Sequence, residues 1–66
     1  MITRIGITAG DIWHYLDEHG NVTLEELVRN LDKPRNIVLM SVGWLAREGH
    51  VVLEGNDPDY YISLRK

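Results

Sequence analysis

Apolar residues recur at helical spacing through the middle of the chain and at two-residue spacing near its end. The opening segment Ile2 to Ile7 is rich in isoleucine, contains Gly6, and reads as a short strand or an extended arm. Thr8 then opens a first helix, with Asp11 three residues on completing a capping-box pattern. Ile12, Trp13 and Leu16 form its apolar stripe, Asp11, Asp17 and Glu18 point elsewhere, and Gly20 closes it. Asn21-Val22 is a brief extended link. Thr23-Leu24-Glu25-Glu26 is the clearest local signal: Thr23 caps, Glu26 reaches back, and both acids suit the positive end of a helix dipole. Leu24, Leu27, Val28 and Leu31 give this second helix one buried face, and it ends near Asn30-Leu31. Pro34 holds Lys33 out of the helical region and fits the first turn of a third helix, which runs to Glu48 and stops at Gly49. Its core stripe is Ile37 or Val38, then Ser41, Val42 and Leu45. So short a turn between the second and third helices predicts a steep crossing, as in a helix-turn-helix.

After Gly49 the period falls to two. His50 to Glu54 is a strand, Gly55 to Asp59 a turn, and Tyr60 to Leu64 the returning strand. The predicted class is α+β, a winged helix-turn-helix: three helices followed by a two-stranded β-hairpin wing, with a short N-terminal strand open as an addition.

Composition narrows the chemistry. Sixty-six residues fit a single domain, 1–66, and a chain this short buries only about 60% of its unfolded surface. Cysteine is absent, so neither disulfides nor thiolate metal sites supplement the core; tight packing or a second copy must. Seven Lys and Arg against ten Asp and Glu give a net charge of −3, without the electropositive balance of a typical nucleic-acid binder. The N-terminus lacks a secretory pattern and the longest apolar cluster, Ile37 to Met40, is too short to span a bilayer. The expectation is a cytoplasmic protein without membrane contact.

Three stretches carry a resemblance. Ala9-Gly10-Asp11-Ile12-Trp13, Thr23-Leu24-Glu25-Glu26-Leu27 and Gly43-Trp44-Leu45-Ala46-Arg47-Glu48 make the chain similar to a small prokaryotic winged helix-turn-helix family of uncharacterised function. The resemblance covers roughly Ile5 to Leu64. It implies a winged-helix fold and a homodimer, and it carries no catalytic residue and no ligand. DNA binding follows from it only by analogy of fold.

The residues give that analogy mixed support. With one stripe of the third helix buried, Arg35, Asn36, Leu39, Met40, Gly43 and Arg47 face solvent. Arg35 and Asn36 suit base or phosphate contact, and Arg29, Lys33 and Arg47 complete the candidate DNA contacts. Leu39 and Met40 neutralise no phosphate, and Glu54, Asp57 and Asp59 put negative charge around the wing tip. The favoured candidate is therefore a protein interface centred on Leu39, Met40, Gly43 and Trp44, with Ile2 and Ile5 of the arm adding a strand to a wing. A glycine costs about 1 kcal/mol in a helix interior, so Gly43 suggests close approach by another group.

Other features read blandly. Trp13 is expected in the core and not as a ligand platform, and Trp44 is balanced between those two roles. Tyr60 and Tyr61 take opposite faces of a strand, one packed beneath the wing and one half-exposed. His14 and His19 are five apart, off the spacing that aligns two ligands on a helix, so His14, His19 and His50 read as solvent-facing and no metal is expected. Ser41 reads as bonding back to a carbonyl one turn earlier. Neither Ser41 nor Ser63 sits in a hydrolase elbow, no phosphate-binding glycine loop occurs, and no cofactor or catalytic residue is expected.

Overall fold

A computed structural model describes residues 2–56 and 59–65, with the side chains of Ile2, Asn56 and Asp59 excluded. The elements run α1 (Ile2–His19), β1 (Val22–Thr23), α2 (Leu24–Asn30), α3 (Arg35–Arg47), β2 (Val51–Asn56) and β3 (Asp59–Leu64). The strands form one antiparallel sheet in the order β1-β3-β2.

The N-terminal strand or arm is overturned: α1 is helical from Ile2 and extends for 18 residues. Ile5, Ala9, Ile12 and Leu16 fall at helical spacing, and this stripe packs on α3. Ile12 is 0% exposed, Ala9 and Leu16 are buried, and Ile5 is half-buried. Burying that stripe outweighs the weak strand preference of isoleucine. Thr8 is consequently a buried mid-helix residue, and the expected Thr8–Asp11 cap does not form. Gly20 ends the helix with φ 77°, which glycine adopts without strain, and its N–H donates to the Leu16 carbonyl at 2.8 Å.

The link after Gly20 is a strand in its own right. Val22 pairs with Ile62 and Thr23 with Tyr61, so the expected two-stranded hairpin becomes a three-stranded sheet. Val22 and Ile62 are both buried. The cap of α2 forms as expected, Thr23 Oγ1 accepting from the Glu26 N–H at 3.1 Å. The Glu26 carboxylate, however, accepts the Tyr15 hydroxyl at 2.8 Å and ties α2 to α1. That hydrogen bond, assisted by burial, pushes the Tyr15 pKa up.

Leu31 closes α2, and Asp32 turns the chain with φ 53°, a left-handed conformation that aspartate tolerates better than most residues. Pro34 is the N-cap of α3, one residue earlier than its expected place, and its carbonyl accepts from the Ile37 and Val38 N–H groups. Both Ile37 and Val38 are buried, with Ser41, Val42 and Leu45. The Ser41 hydroxyl donates to the Ile37 carbonyl at 2.7 Å, one turn back, and lies 3.4 Å from the Ile5 carbonyl of α1. Gly49, with φ 78°, reverses the chain into β2.

The β2–β3 register runs from Val51 opposite Leu64 to Asn56 opposite Asp59, so Gly55 and Asn56 belong to the strand and not the turn. Asp57 and Pro58 of the expected turn lie outside the described residues. Strand alternation puts Val51, Leu53, Tyr60 and Ile62 on the face toward the helices. Val51 and Ile62 are buried there, whereas Leu53 and Tyr60 lie farther along the wing and emerge to solvent.

Candidate interaction surface

Successive helical residues are rotated by about 100°, so the buried stripe of α3 leaves Asn36, Gly43 and Arg47 near the middle of its outward face. Leu39 and Trp44 flank that middle, about 140° apart around the helix. Leu39 is 40% exposed, Met40 39% and Trp44 46%. The expected patch is thus solvent-facing, and it divides into two concavities.

On the wing side, a groove of about 320 Å³ is lined by Leu24, Leu39, Gly43, Leu53, Tyr60 and Ile62. On the α1 side, a shallower hollow of about 260 Å³ is lined by Gly6, Ala9, Gly10, Trp13, Trp44 and His50. Trp13 is 41% exposed, correcting the expectation that it belongs to the core; it stands edge-on to His14 with ring centroids 5.7 Å apart. Tyr60 and Tyr61 are both exposed, neither packed beneath the wing as expected of one of them. Sequence reasoning missed Gly6, Gly10, Leu53 and Tyr60 as lining residues. Gly6 and Gly10 are four apart, which places them on one face once residues 2–7 are known to be helical.

Gly6, Gly10 and Gly43 share a property. None has a positive φ, and a Cβ added at any of them would meet nothing within 4 Å. Neither backbone conformation nor internal packing requires glycine there, although each costs about 0.5–1 kcal/mol relative to alanine inside a helix.

The candidate DNA contacts are distributed differently. Arg35 forks onto the Glu25 carboxylate at 2.7 and 3.1 Å, and Lys33 lies 3.6 Å from Asp11. The Arg35 hydrogen bonds hold the Glu25 pKa below its ordinary value, and the same bonds raise that of Arg35. Two of the best-placed cations therefore already face carboxylates. Arg29, Asn36 and Arg47 are exposed. On the wing, Glu54 is exposed, while Asp57 and the Asp59 side chain lie outside the described residues. Ile2's side chain lies outside them too, and Ile5 is half-buried on the α3-facing stripe instead of forming a strand.

His14, His19 and His50 are exposed, with His19 stacked on Tyr15 at a centroid separation of 4.2 Å. Among the described residues no group of three or more histidines and carboxylates is placed to hold a metal. No helix among them is long and apolar enough to cross a membrane. What the surface offers is apolar and aromatic contact in two adjoining concavities, with a few polar groups between them.

The geometry agrees with known proteins. The chain is 38% identical over 67 residues to the uncharacterized protein MJ1608 of Methanocaldococcus jannaschii, an alignment spanning 98% of this chain and 96% of that one. It superposes with a TM-score of 0.81 on the solution NMR structure of protein BT2368 from Bacteroides thetaiotaomicron, at 34% identity over 94% of this chain and 76% of the other. A family model described as a winged helix-turn-helix domain (DUF2582) matches residues 1–64. With three helices, a short turn before α3 and a β-hairpin wing, the chain belongs to this winged helix-turn-helix family.

Proposed function

We propose that the chain is a non-enzymatic, cytoplasmic binding module, one domain over residues 1–66, that forms a homodimer and acts through protein–protein contacts. The observation that carries this reading is the outward face of α3. In a DNA-reading winged helix that face offers polar and basic side chains to base edges. Here Leu39, Met40 and Trp44 are exposed on it, while Arg35 and Lys33 are engaged by Glu25 and Asp11. Exposed aromatic and methionine side chains flanking an apolar groove fit the core of a protein interface. A phosphate contact by Arg35 would be made beside, or in exchange for, the Glu25 carboxylate that it already faces.

The second reading is a dimeric DNA-binding transcriptional regulator. Its support is the exposure of Arg29, Asn36 and Arg47, with Arg35 and Lys33 joining if a duplex displaces their carboxylates. Titrating a labelled random duplex at low and moderate salt separates the two. The protein-binding reading expects no saturable binding even at low salt. Saturable binding that weakens steeply with salt and falls on Arg35→Ala would establish the DNA-binding reading instead.

A further inference from the structure

We infer that the occupant of the α3 face is a second copy of this chain, seated so that the two α3 helices cross at Gly43. The inference rests on the homodimer reading and specifies its seam.

Area is the first argument. Leu39, Met40 and Trp44 surround Gly43 on α3, Leu53 and Tyr60 line the groove beside it, and Trp13 lines the hollow beside Trp44; together their exposed fractions correspond to on the order of 500 Å² of apolar surface. A stable homodimer buries about 800 Å² per copy, of which about 65% is apolar, so it needs about this much. The described surface of the chain totals 4475 Å², and one such interface covers a share that a small domain can give.

Self-complementarity is the second. In a two-fold dimer each patch meets its own copy, so a charge on the axis would meet its like. Gly43 carries none, and Leu39, Met40 and Trp44 around it are neutral. An antiparallel crossing at Gly43 places the two Arg47 side chains at opposite ends, about 12 Å apart along the helices. That is beyond the screening length of about 8 Å at physiological salt. The groove beside Gly43 supplies room for the side chains of the crossing helix, and the missing Cβ lets the backbones approach. The consequence is that the element placed to read DNA in this fold is covered by the dimer itself.

Gly43→Ala tests the seam without endangering the fold, because the added methyl meets nothing in the chain. The variant is expected to melt higher when dilute and monomeric, yet to dissociate at least tenfold more readily in sedimentation equilibrium. Gly43→Cys adds a proximity readout in a chain that has no cysteine. Under mild oxidation of the folded protein, at a concentration high enough for the variant still to dimerise, it is expected to give a disulfide-linked dimer far faster than Glu18→Cys, which lies on the exposed side of α1. An unchanged dissociation constant for Gly43→Ala, or cross-linking of Cys variants at equal rates in a dimeric chain, overturns this seam and leaves the homodimer reading standing. A parent chain that stays monomeric overturns both.

Discussion

Gly6→Ala distinguishes a helix from an arm at the N-terminus. Gly6 occupies the first two turns of α1, its φ is not positive, and the space where a Cβ would stand is open. In a helix the substitution removes the glycine's excess backbone entropy and adds no clash, a gain of about 0.5–1 kcal/mol. For a domain of this size, 1 kcal/mol moves the melting temperature by about 4–8 °C, so the expected rise is about 2–8 °C. Gly10→Ala serves as an internal reference, because residue 10 is helical whether or not residues 2–7 are. Thermal melts followed by circular dichroism, on dilute protein to keep association out of the comparison, measure both. Comparable rises for the two variants are the expected result. A rise for Gly10→Ala with none for Gly6→Ala would refute the extended α1, and a fall for both would show that something seated on the glycines governs stability.

Leu27→Ala should cost about 2–5 kcal/mol, since Leu27 is fully buried in the common core, out of a total of about 3–10 kcal/mol for a chain of this length; denaturant titration would show a large loss of folded protein. Thr23→Ala should cost about 1 kcal/mol through loss of the α2 cap, read by the same titration, with Thr23→Ser recovering most of it. The Glu25–Arg35 pair predicts a pH dependence: with the Glu25 pKa lowered from 4.5 in the fold, its contribution is present above about pH 4.5 and fades as pH falls through the lowered value. The stability difference between the parent and Glu25→Gln should therefore shrink on acidification, and a difference that widened would contradict the pair's assignment.

Locally encoded elements were legible in the sequence. The Thr23 cap, the Leu24–Leu31 stripe, the buried positions of α3, the Ser41 back-bond and the two strands of the wing all follow from nearest-neighbour patterns. The N-terminal turns were not, because isoleucines and Gly6 imitate a strand while the helical stripe there passes through the weakly apolar Thr8 and Ala9. Extending that stripe back from Ile12 through Ala9 to Ile5 is the signal that finds the helix. β1 is two residues long and exists only through its pairing with β3, a contact 40 residues away (Val22 to Ile62) that no local pattern announces. Candidate surface residues on α3 were legible as solvent-facing from the buried stripe alone. Their separation into two concavities was not, since Leu53 and Tyr60 reach the groove from the wing and Gly6, Gly10 and Trp13 reach the hollow from α1. The engagement of Arg35 by Glu25 and of Lys33 by Asp11 is likewise tertiary.

Sedimentation equilibrium of the intact chain, from micromolar to about 1 mM concentration, bears most directly on whether the outward face of α3 seeks a protein neighbour. A reversible dimer that Trp44→Ser weakens while the variant's circular dichroism stays native is the predicted result. A single species of monomer mass throughout that range would contradict the account.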